Sequence, residues 1–290
     1  MAGLMGFIET IESKLGPVDI VPIADGEIHR FHVQGDRQGS RNGWYILFDG
    51  NLLAGCYGSW KGSGTYKWSS RKPADPLEHE LLRQRFALAR QKSHEALRQR
   101  QHEAKKRAQR LWSDARRADP YHPYLMTKAC KPYPLRQSGG VLLVPLYHAG
   151  ELVNLQQIGA DGSKRFMKGG RVKGCYSPLG TIEAGKPLYI CEGWATGATL
   201  HAKTGCSVAC AMNAGNLLEV GLHLRQRHPE ALLILAGDDD RASKTNTGKT
   251  AAIGAAAALG CRYVLPAWPD EAPLSLTDFN DLWLWQEGLL

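Results

Sequence analysis

No stretch of the chain approaches the roughly 18 consecutive apolar residues that a helical membrane span requires, which excludes that class of protein. The opening residues, Met1-Ala2-Gly3-Leu4-Met5, lack the basic-then-apolar order of a secretory leader, so a cytoplasmic protein with no membrane partner is expected. Seven cysteines are present (Cys56, Cys130, Cys175, Cys191, Cys206, Cys210 and Cys261), but no two are spaced C-x-x-C, and zinc is not expected. The closest two, Cys206 and Cys210, lie just before and within the apolar run SVACAM and read as buried thiols. Glycine and proline are both missing from 77–118, where strong helix formers dominate and predict a long helix or two. Leu77, Leu81, Leu82, Phe86, Leu88, Leu97 and Leu111 are too sparse there to sustain heptads, which argues against a coiled coil.

What is present leans basic. Lys and Arg number 36 against 28 Asp and Glu, a net charge of +8, as expected of a protein that meets polyanions. Between Leu77 and Ala118 twelve basic residues face five acidic ones. Before that segment, 1–75 reads as a small β-rich module of short alternating runs (IHRFHV, WYILF) separated by Gly-containing turns. Its aromatics, Trp44, Tyr45, Phe48, Tyr57, Trp60, Tyr66 and Trp68, are interleaved with Arg30, Arg37, Arg41, Lys61 and Lys67. They could stack bases, or they could simply form the core of the sheet.

The expected organisation is a β-rich module at 1–75, a basic helical segment at 76–118, a β-hairpin subdomain at 119–180 and an α/β domain at 181–290. Pro120 and Pro123 break the helix. VLLVPL and LVNLQQI then form a hairpin, followed by a basic stretch carrying Lys164, Arg165, Lys168, Arg171 and Lys173. Beyond Gly180 the runs LYIC, SVACAM, LLILAG and RYVLP alternate with Ala-rich helical stretches, the pattern of a parallel sheet covered by helices.

In such sheets ligands gather at the carboxyl ends of the strands, and there the acidic residues fall. Glu192 follows LYIC, Asp238, Asp239 and Asp240 follow LLILAG, and Asp278 and Asp281 follow the last strand. Converging carboxylates repel unless cations sit among them, and hard oxygen ligands suit magnesium. Residues two apart leaving a strand point the same way, so Asp238 and Asp240 are expected to share a metal while Asp239 faces elsewhere.

Strand-Glu192-Gly193, strand-Asp238-x-Asp240-Arg241-Ala242, and the later Asp278-Phe279-Asn280-Asp281 together resemble the TOPRIM domain. The likeness is strongest to bacterial-type primases of phages, plasmids and integrated elements and covers about 139–282. VLLVPL and Lys164-Arg165-Phe166-Met167-Lys168 resemble the strand pair and basic segment that precede the TOPRIM core in those primases. The resemblance implies synthesis of short RNA primers on a single-stranded DNA template from ribonucleoside triphosphates, with Mg2+ or Mn2+. It implies Glu192, Asp238 and Asp240 as catalytic residues, these with Asp278 and Asp281 as metal ligands, and Lys164, Arg165, Lys168, Arg171, Lys173 and Arg241 as nucleic-acid or nucleotide contacts. A replicative helicase is the expected protein partner, by analogy. A TOPRIM metal-dependent nuclease and a non-catalytic single-strand DNA-binding accessory protein are the alternatives. Gly248-Lys249-Thr250 resembles the end of a phosphate-binding loop, but Ser243 stands where that loop needs glycine, so these residues read as a helix start and no ATPase activity is expected.

Overall fold

A computed structural model describes residues 2–62 and 64–290. It contains two units, Met1–Arg100 and Gln101–Leu290.

In the first unit a helix, α1 (Ala2–Leu15), precedes an antiparallel meander of β1 (Asp25–Phe31), β2 (Gly43–Phe48), β3 (Ala54–Ser59) and β4 (Thr65–Ser69). The β-rich reading of this region left no place for α1. Its signal was the four-residue recurrence of Phe7, Ile11 and Leu15, which sets all three on one face. That face is buried against Phe31, Tyr45, Leu47 and Tyr57. Strand alternation sends Trp44, Ile46 and Cys56 to the other side of the sheet, where Phe86 and Ala89 cover them. These last two belong to α2 (Pro76–Asp114), a single helix of 39 residues that runs through both units. Asp75 starts it by accepting the Glu78 amide at 2.8 Å, and Pro76 occupies the first helical position.

Packing decides between the two readings of the aromatics. Phe7 meets Tyr45, Tyr57 and Trp68 with ring centroids 5.6, 5.9 and 5.0 Å apart. Trp44, Tyr45 and Tyr57 are buried core, so their rings are closed to bases. Gly55 allows β3 to lie close to β2, because a β-carbon there would fall 2.1 Å from the Ile46 carbonyl oxygen.

The second unit holds two sheets. The antiparallel one orders β5 (Arg116–Arg117), β6 (Arg136–Ser138), β7 (Val141–His148), β8 (Glu151–Ile158) and β9 (Lys164–Phe166), with the short helix α3 (Pro123–Thr127) between β5 and β6. The other sheet contains β10 (Ser177–Leu179), β11 (Pro187–Cys191), β12 (Ser207–Cys210), β13 (Leu232–Ala236) and β14 (Arg262–Val264) in the order β10-β12-β11-β13-β14. Its last four members pair parallel, and only β10 is antiparallel. Helix α4 (Trp194–Thr204) and α7 (Phe279–Gln286) contribute to the core on one face, shared with Leu142, Val144 and Leu146 of β7. Helices α5 (Leu217–Arg227) and α6 (Thr247–Leu259) cover the other face through Val220, Leu224, Ala252 and Ala256. The expected parallel sheet flanked by helices is present, and α6 begins where Gly248-Lys249-Thr250 was read as a helix start.

Truncating Phe7→Ala strips the ring packing against Tyr45, Tyr57 and Trp68 and leaves a cavity, so a loss of about 3–5 kcal/mol is expected in urea unfolding. An unchanged midpoint would contradict the packing of α1 on the sheet.

Candidate active site at the acidic edge

The register of β11 on β13 pairs Cys191 with Ala236, which brings their carboxyl ends level. Glu192 follows the first strand at once and Asp238 follows the second after Gly237. Both side chains are largely buried, and Glu192 Oε1 and Asp238 Oδ1 have no hydrogen-bond partner. Burial pushes the Asp238 carboxyl up to about 8, helped by the negative charges of Glu192, Asp278 and Asp281 and opposed by Lys164. Glu192 is raised by burial too, while the Ala214 amide and Asp278 act on it in opposite senses. The amino end of α6 closes this edge at Gly248, where a β-carbon would lie 2.6 Å from Glu192 Oε1 and 3.0 Å from the Asp238 carbonyl oxygen. Only glycine permits that approach without displacing a carboxylate.

The Asp-Phe-Asn-Asp motif divides its labour. Asp278 caps α7 by accepting the Asp281 amide at 2.9 Å, and its other oxygen accepts from the Thr196 hydroxyl at 3.1 Å. Phe279 packs in the core. Asn280 is fully buried and donates to the Lys128 carbonyl at 2.8 Å and to Thr199 at 2.9 Å. Asp281 accepts from the Lys128 ammonium at 3.0 Å and from the Thr277 amide at 3.1 Å. Burial opposes the charge on Lys128, yet its bond to Asp281 and the field of Asp278 outweigh it and leave the pKa raised. The Asp281 carboxylate is therefore already matched by a cation. Lys128 sits in a loop with no recognisable motif, so sequence reading passed over it; Thr196 and Thr277 gave no signal either, and Gly248 was read only as part of a helix start.

Of the predicted basic contacts, Lys164 joins this site. Its ammonium lies over the Tyr124 ring, 5.5 Å from the centroid, and acts on Asp278, Asp238 and Asp281. Although the residue as a whole is exposed, the atoms crowding its ammonium lower the pKa, and Lys128 adds to the effect. Arg165 is the next residue on β9 and projects from the opposite face of the strand. Lys168 is exposed, with its carbonyl accepting from Arg107 at 3.0 Å. Arg171 and Lys173 belong to a different neighbourhood: Arg171 acts on the stacked pair His148 and His223, and Lys173 pairs with Glu219 at 2.7 Å. Arg241 stacks on Trp268 at 4.5 Å and donates to the Pro273 carbonyl at 2.6 Å, which commits it to the loop before α7.

The aspartates after β13 also separate. Asp239 is buried and accepts from Asn246 at 2.8 Å and Lys249 at 3.3 Å, a tie that holds the loop. Asp240 is half-buried, its amide held by Asn246 at 3.1 Å.

Two buried carboxylate oxygens without donors, raised in pKa by their own neighbours, match the donor set of a hard divalent cation. Among the described residues no three His, Cys, Asp or Glu side chains converge closely enough to enclose an ion by themselves. That suits magnesium, which is commonly held by one or two carboxylates with waters and substrate phosphates completing its shell.

Residues 187–288, which carry most of the parallel sheet and this acidic edge, match the family described as the Toprim domain. Two curated proteins, each described as DNA primase TraC from Escherichia coli, are similar over most of the chain. One is 34% identical across 87% of this chain and 26% of its own length, and the other is 32% identical across 90% and 19%. The chain thus spans about a quarter or less of these relatives. A solved chain from an assembly of bacteriophage T7 lagging-strand DNA polymerase with primase domains aligns at TM-score 0.38 and 15% identity, covering 53% of this chain and 76% of that one.

A carboxyl whose pKa is raised on folding, here from 3.8 to about 8, stabilises the fold only while protonated, so stability falls as pH climbs through that interval. At pH 8 Asp238→Asn should therefore raise Tm by a few degrees without metal. Magnesium should raise the Tm of the parent protein and add little to the variant. A parent protein indifferent to magnesium, or a variant that melts earlier, would contradict the repulsion described.

Proposed function

We propose that the protein is a DNA primase that makes short RNA primers on single-stranded DNA, serving a phage, plasmid or integrated element. The observation that carries this reading is the pair Glu192 and Asp238, each with one buried oxygen left unpaired, facing a lysine, within a chain similar to DNA primases over most of its length.

Glu192 and Asp238 would hold magnesium or manganese, with Asp278 acting on them through its charge and Asp240 near enough in sequence to join once a triphosphate is bound. When present, the metal neutralises phosphate charge and favours ionisation of the attacking hydroxyl. The rest falls to the chain. Lys164 meets the triphosphate, where its positive charge offsets the negative charge that develops on the transferred group. Lys128 neutralises Asp281, so the repulsion to be relieved by metal is concentrated on Glu192, Asp238 and Asp278. Thr196 and the α7 amide orient Asp278. Arg165 and Lys168, exposed on and beyond β9, contact the template backbone, and Arg171 and Lys173 extend that contact along the following loop. Arg241 braces the loop that leads into α7. The domain division at 75, 118 and 180 belongs to this reading, as does a replicative helicase as partner.

The test is de novo synthesis on unprimed single-stranded DNA with ribonucleotides, one of them γ-labelled, and magnesium. The parent protein should yield short labelled products. Asp238→Ala should lose at least about 10³-fold, and Lys164→Gln about 10–100-fold, the scale seen when a group that stabilises transition-state charge is removed. Metal-dependent shortening of the DNA with no labelled product would overturn the primase reading in favour of a nuclease.

A further inference from the structure

Two guanidinium groups stand over one indole in the first unit, and a third is bonded to the main chain beside them. Arg41, just before β2, donates through Nε and Nη2 to the Arg30 carbonyl at 3.1 and 2.6 Å, and Arg30 returns a bond from Nη2 to the Arg41 carbonyl. The guanidinium carbons of Arg30 and Arg100 stand 4.8 and 5.1 Å from the centre of the Trp60 ring. Stacking on an indole and reciprocal bonds to the main chain hold these planar groups in place.

Among the described residues Arg30 has no carboxylate acting on it. Besides burial, the charges acting on Arg30 are Arg100 and Arg41, both of its own sign. The acids of this unit nearest in sequence and strand register are engaged elsewhere: Asp36 with Lys61 at 2.7 Å, Glu27 with Lys92 at 2.6 Å and Asp25 with His29 at 2.9 Å. Arg30 Nε is moreover buried without an acceptor. Like charges crowded against an apolar ring, with a donor left unpaired, form the complement of an anion with several acceptor oxygens.

The surroundings favour a polymer over a single ion. Arg41 is exposed, as is Arg37 four residues earlier in the same β1–β2 connection. Roughly 15 Å back along α2, ten residues at its rise, Arg90 opens a groove of about 570 Å³ lined also by Lys67, Arg83, Phe86, His79 and Glu80. Within it Glu80 is bound to Arg83 and Gln84, and Lys67 lies over the Phe86 ring.

We propose that Arg30 and Arg100 over Trp60, with Arg41 beside them, form a phosphate site that grips the backbone of a single nucleic-acid strand, separate from the acidic edge of the parallel sheet. That the strand is a primer template rests on the function proposed above; the site itself does not. Binding is carried by charge and planar, bidentate geometry, so it is indifferent to base sequence and steep in salt.

The test uses the full chain and a fluorescently labelled oligothymidylate, followed by anisotropy across a salt series without divalent cation or nucleotides. Arg41→Gln and Arg100→Gln should each weaken binding about 5–10-fold at low salt and flatten the log K against log salt slope by about 0.7 for each phosphate no longer neutralised. Arg98→Gln, on the same helix and paired with Glu95, should leave both unchanged. Arg30→Gln is included with a melting curve, and should it unfold the protein, the other two variants decide the matter. Unaltered affinity and slope in Arg41→Gln and Arg100→Gln would overturn the proposal. So would displacement of the oligonucleotide by inorganic phosphate at equal phosphate concentration, which would mark a small-anion site. Loss of binding in these variants alongside a parent protein that makes no primers would uphold the strand site while removing the function proposed above.

Discussion

Two carboxylates, Glu192 and Asp238, leave neighbouring parallel strands at the same edge, half-buried, each with one buried oxygen unpaired. In a medium of low polarity their mutual repulsion, reinforced by Asp278, is large, and it drives Asp238 toward the protonated state. Much of the second unit can be understood as the means of holding that unfavourable arrangement. The parallel register fixes the spacing of the strand ends, Gly248 lets α6 close over them, and the cap of α7 points Asp278 at the same place. Backbone hydrogen bonds and apolar burial on both faces of the sheet supply the stability that the carboxylates oppose.

The two lysines near this edge act in different ways because of what surrounds them. Lys128 is bonded to Asp281 and its loop is fastened through Asn280, so its charge is used in holding α7 against the preceding loop. Lys164 lies over Tyr124 with three carboxylates in its field and no close ion pair to any of them. A cation in that position lowers the cost of the acidic cluster while keeping its donors open to an incoming phosphate.

The first unit solves a separate problem. Its small sheet is covered on one side by α1 and on the other by α2, which uses alanine to approach closely and leaves its remaining surface charged. Large aromatics fill the interior because four short strands offer little other apolar volume. The arginines are left at the rim, where an indole holds two of them in place.

The sequence alone determined the parallel sheet, the basic character, and the positions of the acidic residues at strand ends, because apolar runs alternating with helical stretches and acids just after them are local patterns. It could not say which acids act together. Asp239 and Asp240 are adjacent in the chain, yet one is tied to Asn246 and Lys249 and the other stands half-buried on the loop. Asp281 is matched by Lys128, a residue 153 positions away. Arg241, expected to meet nucleic acid, is bonded to the Pro273 carbonyl, and of the aromatics that suggested base stacking Trp44, Tyr45 and Tyr57 are core. Each of these outcomes depends on contacts between segments distant in sequence, where burial and the nearest opposite charge decide what a side chain does; only the tertiary structure sets those.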